Sequence, residues 1–159
     1  MSIIGIVAID QNGAIGKGGS IPWHYSSDLK FFKEQTTGHA CVMGRRTWLS
    51  LKRPLKERLN IVLSKSAEVE TPDNNVIILP DKRFVLALAP YLSCHLYVIG
   101  GEQIYRAFAP EIEQWIVTEI PLSIDGADTF MPQKILQNFT PRRTLSLADE
   151  LKATFYERD

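Results

Sequence analysis

Val98-Ile99-Gly100-Gly101-Glu102-Gln103-Ile104-Tyr105 reads as an apolar strand that runs into a glycine pair and then a helix. The same order occurs earlier, in Val42-Met43-Gly44-Arg45-Arg46-Thr47-Trp48. Around these junctions, short apolar runs alternate with amphipathic segments out to residue 118, the pattern of an α/β fold with a largely parallel central sheet flanked by helices on both faces. Strands are predicted at Ile3–Ile9, Ala40–Met43, Asn60–Ser64, Val76–Leu79, His95–Ile99 and Trp115–Glu119. Helices are predicted near Ser27–Thr36, Arg46–Leu51, Arg83–Leu92 and Glu102–Ala109. The tail differs: Thr140–Leu147 and Ala153–Arg158 alternate polar and apolar residues around an Asp-Glu turn, which predicts an antiparallel C-terminal hairpin at one sheet edge. Asn12-Gly13-Ala14-Ile15-Gly16-Lys17-Gly18-Gly19-Ser20 reads as a long flexible loop, and such loops are often lids.

A chain of 159 residues is most simply one domain, here residues 1–159, with a core that needs no disulfide. Its 18 basic and 18 acidic side chains cancel, which argues against a large nucleic-acid footprint or a membrane-surface patch. Cys41 and Cys94 each lie in an apolar run and read as core hydrophobes of a reducing compartment. Neither their spacing nor that of His24, His39 and His95 makes a metal set. The N-terminal apolar run lacks a basic flank and is too short to span a bilayer, so it reads as a buried strand. A cytoplasmic monomer is expected.

In a parallel sheet the two glycine junctions share one carboxyl edge, and so does Leu63-Ser64-Lys65-Ser66. Gly44 lets a ligand approach the backbone, with a hydroxyl and two guanidinium groups following it. Together the three ends suit an extended anion such as a dinucleotide with an additional phosphate. No G-x-G-x-x-G follows the first strand, and Gly16-Lys17-Gly18 lacks a P-loop frame. A Rossmann dehydrogenase and a nucleoside-triphosphate hydrolase are therefore set aside.

Ile21-Pro22-Trp23-His24-Tyr25-Ser26-Ser27-Asp28-Leu29-Lys30-Phe31-Phe32-Lys33 places one carboxylate among aromatic rings. On a helix opened by Ser26 or Ser27, Asp28 shares a face with Phe31 and Phe32. Such an acid must find a partner or shift its pKa, which suits a pocket for a flat ring. An Asp in a first helical turn also simply complements the helix dipole, so the segment alone leaves both readings open. Likewise Arg58, in Arg53-Pro54-Leu55-Lys56-Glu57-Arg58, is either a bidentate carboxylate clamp or part of a solvated loop. An acid beside a nicotinamide pocket suffices for hydride transfer, since the cofactor carries the chemistry.

These motifs, in this order, resemble dihydrofolate reductase from Ile4 to about Pro132. The resemblance rests on Ala8-Ile9-Asp10 with Gly13-Ala14-Ile15-Gly16, Ile21-Pro22-Trp23, Asp28-Leu29 with Phe32-Lys33, and Met43-Gly44-Arg45-Arg46-Thr47-Trp48. It continues in Arg53-Pro54-Leu55 with Arg58, Asn60-Ile61-Val62-Leu63-Ser64, Val98-Ile99-Gly100-Gly101 with Ile104-Tyr105, Thr118 and Gly126-Ala127-Asp128-Thr129. It implies NADPH-dependent reduction of 7,8-dihydrofolate to 5,6,7,8-tetrahydrofolate, an antifolate target in one-carbon metabolism that supports thymidylate and purine synthesis. By the same resemblance Asp28 is the active-site acid and Thr118 the hydroxyl supporting it. Trp23 orders a nearby water, and Tyr105 sits against the nicotinamide. Ile4, Gly5, Ile6, Leu29, Phe32, Leu51, Leu55 and Ile99 match the substrate pocket, Arg58 the clamp on the glutamate tail, and Lys33 and Arg53 its periphery. Ile6, Ala14, Ile15, Gly16, Ser20 and Thr129 match the nicotinamide-ribose side and its lid. Gly44, Arg45, Arg46, Thr47, Ser64 and Lys65 match the phosphate and adenosine side. Gly100-Gly101 matches a pair joined by a cis peptide, with Glu102, Gln103 and Ile104 continuing the cradle.

Some positions depart from the commoner bacterial pattern. Ile21, Glu102, Gln103, the inserted Ala127 and Tyr25-Ser26-Ser27 stand where other members carry different residues, which bears on lid motion and cofactor affinity rather than on the reaction. Two other readings are distinguishable. A reductase domain of riboflavin synthesis would not need Asp28 beside Phe32 or the Arg58 clamp. A silent nucleotide- or pterin-binding module would keep the glycine junctions and lose the acid.

Overall fold

The computed structural model describes residues 1–66, 73–132 and 134–159. In chain order its strands are β1 (Ile3–Ile9), β2 (Ala14–Gly16), β3 (Ala40–Gly44), β4 (Leu59–Leu63), β5 (Val76–Leu79), β6 (Leu96–Val98), β7 (Gln114–Glu119), β8 (Thr129–Phe130), β9 (Phe139–Ser146) and β10 (Lys152–Arg158). The helices are α1 (Ser26–Thr36), α2 (Arg45–Ser50), α3 (Lys82–Leu88) and α4 (Glu102–Phe108). Eight strands form one sheet in the order β5-β4-β3-β6-β1-β7-β10-β9. The six from β5 to β7 are parallel, and β10 and β9 add antiparallel pairings at one edge. The expected α/β architecture with its C-terminal hairpin is therefore present, and each predicted strand is met to within one residue at either end.

Alternation along the strands divides the core in two. Ile3 and Val7 face Val85 of α3 and Phe108 of α4. Ile4 and Ile6 point the other way, toward Phe31 of α1, Cys41 and Met43. This period-2 sorting is what β-strands do when both faces are covered. Gly5 lies on the α4 side, where an added Cβ would come within 2.4 Å of the Trp115 ring.

Three expectations are corrected. The glycine-rich segment is not simply a long flexible loop: Ala14–Gly16 forms β2 and pairs with β8. Its ordering begins at Asp10, whose carboxylate accepts from the N–H groups of Asn12, Ala14 and Ile124 at 2.8–2.9 Å. Neither Ser26 nor Ser27 caps α1; Tyr25 holds the N-cap position without a side-chain bond. The Ser27 hydroxyl instead meets Asp149 at 3.0 Å in the β9–β10 turn. The helix expected over Arg83–Leu92 ends at Leu88, and Ala89–Tyr91 continues as one 3-10 turn around Pro90, which has no N–H to extend an α-helical ladder.

Candidate active site

At the carboxyl edge of the parallel strands the order of connections reverses about β1, the kind of place where ligands commonly bind. Asp28 lies on the first turn of α1. Its carboxylate has no hydrogen-bond partner among the described residues, and burial pushes its pKa up to about 6. Ile4, Ile6 and Phe31 belong to one apolar cluster, with Phe32, Leu51, Leu55 and Ile99 at its margin, and Phe31 and Phe32 follow Asp28 on the same helix. Thr118, 2% exposed, is in register with Ala8 and so shares the sheet face of Ile4 and Ile6. The indole Nε1 of Trp23 is buried without a partner. Such a donor asks for an acceptor from a ligand or a water. At the rim, Leu29 is half exposed, and Lys33 and Arg53 are exposed. Gly5, between Ile4 and Ile6, has only backbone to offer on this side, and the Trp115 ring lies where a Cβ would point.

Arg58 is 8% exposed. Its Nε donates to the Lys56 carbonyl at 2.9 Å, its Nη1 to the Thr36 hydroxyl at 3.1 Å, and its Cζ lies 6.0 Å from the centre of the Phe32 ring. Among the described residues it has no carboxylate partner. Asn60, fully buried, shapes the approach by bonding Leu55 through both amide atoms and the Arg58 carbonyl through Nδ2.

The two glycine junctions meet directly. Gly44 N–H donates to the Gly100 carbonyl at 2.9 Å, and Gly100-Gly101 is a cis peptide. A Cβ on Gly44 would press on Ile104 at 3.1 Å, and one on Gly100 on the Tyr105 hydroxyl at 3.2 Å, so side chains would fill this cradle. Thr47 Oγ1 lies 3.9 Å from the Cβ position of Gly101. Tyr105 donates to the Ile6 carbonyl at 2.8 Å. Burial pushes its hydroxyl up, and the Asp28 charge adds to that, which sets the acid and the cradle within one electrostatic field. Arg45, Arg46 and Lys65 are exposed nearby in sequence to β3 and β4, while Ser64 is half buried. Glu102 pairs with Arg106 at 2.8 Å, and Gln103 is exposed.

The lid side is held mainly by polar contacts. Ala14 is fully buried, Ile15 packs on the core margin, and Gly16 pairs with Thr129. Beyond it, Lys17 and Ser20 form a bridge. Gly18 N–H donates to Asp128 at 2.9 Å and Lys17 Nζ to the Asp125 carbonyl at 2.8 Å. The Gly18 N–H, then the Thr129 hydroxyl, hold the Asp128 carboxyl below its usual range.

A model of the family described as dihydrofolate reductase matches residues 2–157. The chain belongs to the dihydrofolate reductase family. It is 35% identical over 147 residues to the dihydrofolate reductase of Staphylococcus haemolyticus, covering 92% of this chain and 84% of that protein. It is 42% identical over 154 residues to a bifunctional dihydrofolate reductase-thymidylate synthase of Glycine max, and spans 29% of that relative's length. Among solved structures, a dihydrofolate reductase from Enterococcus faecalis complexed with NADP(H) and RAB-propyl matches with a TM-score of 0.90 at 28% identity. That match covers 99% of this chain and 96% of the other. A dihydrofolate reductase fold thus carries Asp28 on α1, Thr118 on β7 and the two glycine junctions at the carboxyl ends of β3 and β6. Reading the sequence did not single out Asp10, Thr36 or Asn60. Asp10 carried a signal, an Asp two residues before Asn-Gly, where a carboxylate suits turn N–H groups. Thr36 carried none toward Arg58, 22 residues on, and the bonds of Asn60 to Leu55 and Arg58, though local, follow no recognisable motif.

Proposed function

We propose that this chain reduces 7,8-dihydrofolate to 5,6,7,8-tetrahydrofolate, with Asp28 as the fixed charge of the substrate pocket. The observation that carries this reading is the unpaired, partly buried Asp28 carboxylate on the helix whose Phe31 joins the apolar cluster of Ile4 and Ile6. With a pKa of about 6 it is largely ionised at neutral pH. It accepts from the amino group and ring N–H of the pterin and favours the protonated, more electrophilic imine. Thr118 supports that contact, and Trp23 Nε1 donates to a water positioned near the ring. A proton then reaches the imine nitrogen from water rather than directly from Asp28.

The glycine junctions suit a dinucleotide: Gly44 and Gly100 let α4 pack close, through Ile104 and Tyr105, and the Cβ position of Gly101 is open apart from the Thr47 hydroxyl at 3.9 Å. NADPH, when bound, supplies the hydride to the ring carbon next to that nitrogen. Arg45, Arg46, Ser64 and Lys65 would hold its phosphates, Tyr105 and Ile6 would border the nicotinamide, and the β2 lid would exclude water. Arg58 receives the substrate's tail carboxylate, with Lys33 and Arg53 at the rim. Among the described residues no helix is long and apolar enough to cross a membrane, and both cysteines are free thiols.

Purified protein mixed with NADPH and dihydrofolate should lose nicotinamide absorbance at a rate proportional to enzyme. A folded protein with no turnover overturns the assignment.

A further inference from the structure

Thr36 is fully buried at the end of α1, and no step described above uses it. Its hydroxyl donates to the Phe32 carbonyl at 2.8 Å and accepts from Arg58 Nη1 at 3.1 Å. A valine would fill the same space, so packing does not account for the oxygen. The oxygen matters to Arg58. A guanidinium has five N–H donors in one plane. The Lys56 carbonyl and the Thr36 hydroxyl take one each, from the Nε and Nη1 positions. Two bonds at different nitrogens fix the plane and leave the rest of the fork for a ligand. Cys41 also hydrogen-bonds Thr36; burial pushes its thiol up to about 12, so beside Arg58 it is a neutral group and only a weak acceptor.

We propose that Thr36 is a positioning residue for tail recognition, aiming the Arg58 fork and anchoring it to the helix that carries Asp28. Positions 28 and 36 are separated by about 12 Å of helix at 1.5 Å per residue. One rigid element therefore refers both substrate contacts to a common frame, the charge that meets the ring and the cation that meets the tail. The substrates selected are dihydropterins with a carboxylate at a set distance from the ring. This rests on the reading of Arg58 as the clamp.

Steady-state kinetics with dihydrofolate and with a tail-less 7,8-dihydropterin test it on Thr36→Val, Thr36→Ser and Arg58→Gln. Thr36→Val should raise KM for dihydrofolate about tenfold, with kcat within about twofold, because it leaves a buried donor unpaired and lets the fork turn. Both constants for the tail-less substrate should stay unchanged, and Thr36→Ser should restore KM. If Thr36→Val does not fold, Thr36→Cys, which keeps the shape with a weaker acceptor, carries the same expectation. An unchanged dihydrofolate KM while Arg58→Gln raises it overturns the role of Thr36 and leaves the clamp standing. If Arg58→Gln has no effect either, the clamp reading itself falls. Equal losses with both substrates would make Thr36 merely structural and also overturn the proposal.

Discussion

The candidate site has two halves that handle charge differently. On the α1 side, behind the exposed Lys33 and Arg53, two charged groups are withdrawn from water: Arg58 is 8% exposed, and burial raises Asp28 to about 6. On the glycine-junction side the cations Arg45, Arg46 and Lys65 are exposed, and what is buried is backbone and Tyr105. Charges in a low-dielectric setting act strongly and singly, whereas exposed ones are screened and act in sum. A single change should therefore cost far more on the α1 side, and salt should matter more on the other.

The largest expected effect is that of Asp28→Asn, a loss of about 10²–10³-fold in kcat at pH 7. The same change should stabilise the fold. A carboxyl whose folded pKa is raised holds extra protons between about pH 4 and 6, so stability falls as pH rises through that window and the loss is complete above it. Asn removes that cost, worth up to about 3 kcal/mol at pH 7 and nothing below pH 4. Urea titrations at pH 7 and just below pH 4 measure the difference, and equal midpoints at pH 7 would mean that Asp28 is not strained by burial. Arg58→Gln comes next. KM for dihydrofolate should rise about 30- to 100-fold with kcat nearly unchanged, since a desolvated charged pair is lost.

Arg45→Gln should raise KM for NADPH only about tenfold at low ionic strength, and less at 0.5 M salt, where exposed charges are screened. If the penalty persists at high salt, the contrast between the halves is wrong. The smallest effect lies outside both. His39 Nδ1 accepts from the His95 N–H at 3.0 Å, and the rings stack 5.1 Å apart, with Tyr97 against the edge. Burial, then His95, holds the His39 imidazole below its ordinary value of 6.5. The unfolded chain takes up that proton first, so stability should fall as pH drops below about 6.5. His39→Asn, which keeps an acceptor, should flatten that limb of a melting-temperature profile while leaving KM for both ligands alone.

Much of this was legible in one dimension because the signals are local. Apolar runs with a period of two, glycine between strand and helix, and an acid followed three and four residues later by phenylalanine all report on neighbours in the chain. The sheet, the candidate site at its carboxyl edge and the position of Asp28 on α1 follow from them. Where the reading failed, a partner lay far away. Ala14–Gly16 becomes a strand only because Thr129–Phe130 arrives to pair with it. Ser27 turns from a cap to a tether because Asp149 lies beside it.

By itself, then, the sequence determined the order and type of the elements and the inventory of groups for the candidate site, since propensity and periodicity act over a few residues. Whether those groups are buried, paired or left open was decided by the tertiary structure. Dielectric environment and hydrogen-bond satisfaction depend on what distant segments bring. That is why Asp28 is a strained acid rather than a helix-dipole ornament, and why Thr36, silent in the sequence, meets Arg58.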